Sequence, residues 1–177
     1  MSRRPAIYQP QTDTYLIRLT RGKSTTVDAV DANLADVLWT THTAPHTVYA
    51  YRMVPNVSGK QKMVYLHRAI LALMLGRDLL PGEEVDHIDG NGLNNTRGNL
   101  RVCSHAENMA NRRKHSNNTS GLKGVHLHKS GKWQAQIMVS GTPKHLGLFT
   151  SKDEAHAAYN AAAEIHFGQF ANNGGTK

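Results

Sequence analysis

The chain has 177 residues, a formal net charge of +8, a single cysteine and 39% hydrophobic residues. That length allows one ordinary domain or two to three small ones, and an aromatic content of 6% points to small cores. Cys103 alone excludes disulfides and a cysteine-rich zinc site, no run reaches transmembrane length, and the segment MSRRPAIYQP holds no apolar signal core, so a soluble chain in a reducing cytoplasm is expected.

The charge is unevenly spread. Residues 1–96 carry ten Lys/Arg against nine Asp/Glu, residues 97–145 nine against one (Glu107), and residues 146–177 two against three. The excess therefore sits in the middle of the chain, the electrostatic footprint of a polyanion. A solvated basic face is the bland alternative, and so local an imbalance favours nucleic acid.

Residues 1–10 read as a flexible basic tail. Segments 15–19 and 24–27 read as short strands around Arg21-Gly22-Lys23. Asp28 and Asp31 offer N-caps for a short helix through Leu34, Val37 and Leu38 that ends near Trp39. A loop rich in Thr and His follows, in which His42 and His46 read as surface histidines rather than metal ligands. Segments 47–54 and 62–66 are strand-like, 67–75 is a compact apolar helix closed by Gly76, and 78–84 is a polar linker. The spacing of the hydrophobics makes this part a scaffold.

Segment 85–108, VDHIDGNGLNNTRGNLRVCSHAEN, is different. It opens on Asp86-His87, runs through a turn-rich loop, meets Asn99 twelve residues after His87 and reaches Asn108 nine residues later. Short apolar runs on either side make the loop a hairpin, and Ser104-x-x-Glu107 is a capping box that starts a helix. Hairpin and helix together would gather the Asp-His end, Asn99 and the first helical turn. Asp89, Asn91, Asn94 and Asn95 read as turn residues that hydrogen-bond their own backbone.

This order of polar residues resembles the HNH endonucleases, and among them the nicking homing endonucleases of bacteriophages. The resemblance implies a ββα-metal site around one divalent cation. Asp86 and Asn108 would bind the metal, His87 would be the general base, and Asn99 would orient the imidazole or brace the hairpin. Hard oxygen ligands suit Mg2+ or Mn2+, with water and the scissile phosphate completing the shell. The implied products are a 5′-phosphate and a 3′-hydroxyl. One site per chain implies nicking of one strand by a monomer, with a dimer left open, and the implied setting is the cytoplasm of a bacterial host of a phage. The family often carries a Leu-His-Arg triplet, here Leu66-His67-Arg68, so His67 either packs under the site or joins Arg68 on phosphate. Arg101 reads as a phosphate clamp beside the site.

Beyond Asn108 the helix is expected to end within 109–114, where Arg112-Arg113-Lys114 forms a basic cluster suited to DNA, and 115–121 reads as a linker. Segments 123–128, 132–139 and 144–149 read as three antiparallel strands, and Ser151-x-x-Glu154 caps an Ala-rich helix. Alternation puts Trp133, Ala135 and Ile137 toward that helix and leaves Gln134 and Gln136 exposed with His126 and His128. Gly121-x-Lys123-Gly124-Val125, Gly131-Lys132-Trp133-x-Ala135-x-Ile137, Leu146-Gly147-x-Phe149, Ala158-Tyr159-x-x-Ala162 and Phe167-Gly168 with Asn172 resemble the Apetala-two (ethylene-response-factor) DNA-binding domain. That resemblance implies a sheet in the major groove, presenting His126, His128, Lys132, Gln134, Gln136, Lys144 and His145.

The expected fold is α+β: an N-terminal αβ scaffold (1–76), a ββα-metal nuclease motif (77–114), a linker (115–121), and an Apetala-two-like domain of a three-stranded antiparallel sheet packed on one helix (122–173). The expected function is a site-recognising endonuclease acting on double-stranded DNA, without membrane partners. A catalytically inactive sequence-specific DNA-binding regulator, or a restriction or packaging nuclease, are the alternatives.

Overall fold

Short runs of β-branched and aromatic residues separated by turn residues dominate the first half of the chain, and they fold into small sheets rather than one large one. The structure, a computed structural model, describes residues 5–112, 114 and 117–172; the basic tail's first four residues, Arg113, linker residues 115–116 and residue 173 of the expected last domain lie outside these. The chain is mixed α/β and divides into two units, Met1–Val102 and Cys103–Lys177.

In the first unit, β1 (Ile7–Gln9), β2 (Thr14–Arg18) and β3 (Ser24–Asp28) form an antiparallel sheet in that order. The tail expectation is corrected here: Ile7 pairs with Leu16, which makes part of that segment an edge strand. A 3-10 helix, Ala29–Asp36, follows. The Thr/His loop is also corrected. Thr40–Thr43 is a strand, β4, beside β5 (Val48–Pro55) and β6 (Gln61–Tyr65). Threonine is a good strand former, and the Thr20 hydroxyl lies 2.9 Å from the hydroxyls of both Thr40 and Thr41, so this edge has polar partners in place of apolar ones. Helix α1 (Leu66–Leu75) buries Leu66, Ile70 and Leu71, and Gly76 ends it in the left-handed region at φ 65°. These side chains meet Ile17, Leu19, Val27, Trp39, Ala50 and Leu100 in one core.

Strands β7 (Glu84–His87) and β8 (Leu100–Cys103) pair as a two-stranded sheet. The loop between them is held by β3: Thr26 donates its N–H to the Leu93 carbonyl at 3.0 Å, and the Asn95 N–H donates to the Thr26 carbonyl at 2.8 Å. Gly92 lets the same loop approach β5. A Cβ there would stand 2.6 Å from the Val48 carbonyl oxygen and 2.7 Å from the Tyr49 ring.

In the second unit, α2 (His105–Asn111) opens on the capping box: the Glu107 N–H donates to Ser104 Oγ at 3.3 Å, and the Ser104 N–H to Glu107 Oε2 at 2.7 Å. Its far end is closed by side chains. Lys123 Nζ donates to the carbonyls of Ala110 (2.6 Å) and Arg112 (2.7 Å), and Asn172 Nδ2 donates to that of Asn111 (2.7 Å). A cation at a helix C-terminus satisfies orphan carbonyls and complements the helix dipole. Strands β9 (Val125–Leu127), β10 (Trp133–Val139) and β11 (Thr142–Phe149) form an antiparallel sheet with β10 central. Helix α3 (Lys152–Phe167) covers one face, where Ala155, Tyr159 and Ala163 are buried with Ala135 and Ile137. Among the described residues no helix is long and apolar enough to cross a membrane.

Gly124 seats this packing. It has φ +72°, and a Cβ would fall 2.0 Å from the Tyr159 ring. Gly124→Ala is expected to cost the second unit more than about 2 kcal/mol, from strain plus overpacking. Urea unfolding followed at Tyr159 and Trp133 checks this; an unchanged midpoint would show that the ring moves aside freely.

Candidate active site

Asp86 and His87 end β7, and both are buried, with 4% and 5% of their surface exposed. A carboxylate so enclosed needs a partner. Arg101, on the paired strand β8, supplies it: Nε donates to Asp86 Oδ2 at 2.8 Å and Nη2 lies 2.6 Å from the same oxygen. The guanidinium expected to clamp phosphate is thus engaged, through Nε and Nη2, with Asp86.

His87 Nε2 lies 3.1 Å from Asn95 Oδ1. Asn95 is fully buried, and its Nδ2 donates to Thr25 Oγ1 at 2.7 Å and to the Gly92 carbonyl at 3.4 Å. The imidazole is walled by Tyr49, with ring centroids 5.9 Å apart, and by His67 at 5.1 Å, edge to face. Burial lowers the His87 pKa against the opposing pull of Asn95, Asp89 and Asp86, so the ring is neutral around pH 7. His67 is more extreme. It stacks on Tyr65 at 5.3 Å, and burial, with the His87 and Arg68 charges, lowers its pKa to about 3. His67 is buried, with 8% of its surface exposed, which suits the reading that packs it under the site better than the one that sets it on phosphate.

Asn99 does not reach the imidazole through any described contact. Its Nδ2 donates to Asp89 Oδ1 (3.0 Å) and the Asn94 carbonyl (2.8 Å), its Oδ1 accepts from the Asp89 N–H (3.1 Å), and its carbonyl accepts from the Ile88 N–H (2.9 Å). It braces the hairpin. Asn91 is a turn residue as expected, its Oδ1 accepting from the Leu93 N–H, whereas the Asn94 side chain bonds other side chains, Nδ2 donating to Asp89 and Oδ1 accepting from the Thr96 hydroxyl. Asn95 is the one that sequence reasoning missed. It sits in the same Asn-rich turn as its neighbours, and no local signal marks which amide points inward; its partner Thr25 is 70 residues away.

Two comparisons bear on this site. Residues 64–110, which contain α1, the hairpin and most of α2, match the family model for HNH endonucleases. Over 94 residues, 51% of this chain and 74% of the relative, the sequence is 37% identical to Protein 3.8 of Escherichia phage T7. The chain belongs to the HNH endonuclease family. It is also 34% identical over 106 residues to an uncharacterized HNH endonuclease of Acanthamoeba polyphaga mimivirus, covering 60% of this chain but only 54% of that protein. No solved structure matches the chain.

The remaining site candidates are distributed as follows. Asn108 lies on α2 in the second unit, half-buried, with its N–H donating to the Ser104 carbonyl at 3.0 Å. Arg68 is exposed on α1. Arg112 is half-buried, and Lys114 is exposed and donates to the Gly121 carbonyl at 2.7 Å. On the sheet, Gln134 pairs with His126 and Leu148, and Gln136 pairs with His145, so His126, Gln134, Gln136 and His145 share the face opposite α3. Lys144 does not join them. It stands opposite Ile137, whose side chain is buried under α3, because the β11 register shifts between Ala135 and Gln136. His128 Nδ1 lies 2.8 Å from Ser130 Oγ in the adjoining turn, and Lys132 is exposed beside it. Among the described residues no group of three or more His, Cys, Asp or Glu could hold a metal ion. HNH nucleases generally use a divalent metal. A hard divalent cation takes oxygen ligands, and the carboxylate next to His87, Asp86, is such a donor, here paired with Arg101.

A buried neutral histidine makes stability depend on pH with a fixed sign. Unfolded His67 binds a proton near 6.5 and the folded one only near 3, so stability is full above pH 6.5 and falls as the pH drops toward 3. Between pH 7 and pH 4 this one group should cost on the order of 3 kcal/mol. His67→Phe, which keeps the ring packing, should flatten that part of the profile in urea unfolding measured across this range. A variant profile as steep as the wild type would assign the acid sensitivity elsewhere.

Proposed function

We propose that this protein is a DNA endonuclease of the HNH homing type that hydrolyses a phosphodiester bond, nicking one strand of double-stranded DNA and leaving a 5′-phosphate and a 3′-hydroxyl. The observation that carries the reading is a neutral His87 held beside the Asp86 carboxylate at the end of β7. An imidazole in that state is the side chain suited to take a proton from water near neutral pH. In this reading Asp86 and Asn108 hold a magnesium or manganese ion. When bound, the ion supplies charge neutralisation at the phosphoryl group and help for the leaving oxygen. Arg101 keeps the Asp86 carboxylate in place until then. Asn99 keeps the loop in the shape that presents His87.

The second unit supplies DNA affinity in this reading, through an Apetala-two-like sheet face carrying His126, Gln134, Gln136 and His145, with Lys132 at the strand start. Glutamine can read adenine in the major groove. Arg68, Arg112 and Lys114 would contact phosphate, and Arg113 belongs to the same basic cluster in the sequence.

Supercoiled plasmid incubated with the full chain and Mg2+ or Mn2+ should be converted to the open-circular form, with ligatable ends. His87→Ala should lower the rate by about 10²-fold or more while DNA binding in a gel-shift assay stays within a few-fold of wild type. Binding should weaken steeply with salt, as counterion release requires. Specific binding with no cleavage under any divalent metal would leave a DNA-binding regulator in its place.

A further inference from the structure

The residues around His87 Nε2 leave only one consistent arrangement of hydrogens. The Leu93 carbonyl oxygen lies 2.7 Å from Thr25 Oγ1. A carbonyl can only accept, and two oxygens at that distance need a hydrogen between them, so the single hydroxyl hydrogen of Thr25 is given to Leu93. Toward Asn95, Thr25 Oγ1 can then only accept. The group facing it at 2.7 Å is therefore the Asn95 NH2, which also points at the Gly92 carbonyl. Turning the amide over would set its oxygen against both of those oxygens. Asn95 Oδ1 must then face His87, and the Nε2 it meets at 3.1 Å must carry a hydrogen.

All of this is sealed from water. Thr25 is 1% exposed and Asn95 is fully buried, so neither finds a substitute partner in solvent. The relay is also fixed in space, since Thr25 is a residue of β3 and the Asn95 backbone is bonded to Thr26 of the same strand. We propose that Thr25 and Asn95 are positioning residues that hold His87 as its Nε2–H tautomer and aim the ring, so that Nδ1 is the atom that accepts a proton. The tautomer follows from the hydrogen bonds alone; its value to cleavage rests on His87 being the general base. In a serine-protease triad the wrong histidine tautomer costs about 10⁴ in rate, which gives the scale of what such a relay protects.

The tautomer is read directly from long-range ¹H–¹⁵N correlations of the imidazoles in the full-length protein, with His87 assigned by the signal lost in His87→Gln. The wild type is expected to show a protonated Nε2 and an unprotonated Nδ1. Thr25→Val keeps the shape of a β-branched strand residue and removes only the hydroxyl. It should give a mixture of tautomers and lower kcat by roughly tenfold or more, with KM for DNA within about twofold. Thr25→Ser keeps the hydroxyl and should restore both. A wild-type His87 protonated at Nδ1 would overturn the proposal without any variant having to fold. So would Thr25→Val with unchanged tautomer and kcat, or a Thr25→Ser as impaired as Thr25→Val. The expected tautomer in a protein that cleaves nothing would uphold the relay and remove the nuclease reading instead.

Discussion

The architecture of the first unit depends on a loop being sewn to a strand that precedes it by some seventy residues. Loop residues Leu93 and Asn95 bond to the backbone of Thr26 in β3. Beside them the Arg97 N–H donates to Asp28 Oδ2, and the Arg97 guanidinium forms a two-point pair with Asp31, through Nε at 2.9 Å and Nη2 at 2.8 Å. Asp31 is 1% exposed, so removing Arg97 would strand a charge out of water, and that penalty makes the pairing specific. With the loop fixed at both ends, the Asp-His end of β7 and the Asn99 brace have no alternative register. The N-terminal sheet is thus part of the site's support, even though it lies outside residues 64–110, where the family match falls.

Much of this was legible in the chain, and the failures have a common cause. Signals that act over three or four residues were read correctly: the boxes at Ser104 and Ser151, the left-handed Gly76, and the alternation that buries Ala135 and Ile137. The sequence also set apart Asp86 and His87, because that pair at the head of a turn-rich loop has no packing explanation. What escaped depends on partners distant in sequence. Ile7–Gln9 is a strand because β2 offers it an edge, Thr40–Thr43 because Thr20 meets its hydroxyls, and Asn95 points inward because Thr25 waits there. The register shift that turns Lys144 to the helix side of its sheet leaves no mark in the alternation of polar and apolar residues.

The charge map illustrates how a sound global argument can mislead residue by residue. The basic excess between 97 and 145 points to a polyanion, yet several of its cations have internal duties. Arg97 serves Asp31, Arg101 serves Asp86, and Lys123 closes the end of α2. Counting positive side chains therefore overstates the surface available to phosphate. Long side chains with several donors are well suited to finishing backbone ends and burying carboxylates, and a small protein with few aromatics uses them for both.

The distance between Thr25 and Asn95 along the chain also sets an order of events. Contacts that close long loops are entropically slow to form, and they form together with the surrounding core rather than ahead of it. During synthesis, however, the chain emerges from its N-terminus, so β3 and Thr25 are already made when Asp86, His87 and the Asn-rich turn appear. The segment that holds Asp86 and His87 meets a strand already synthesised. Until the two close on one another the imidazole has neither its wall nor its hydrogen-bond partner, so the incomplete chain holds the site's residues without holding the site.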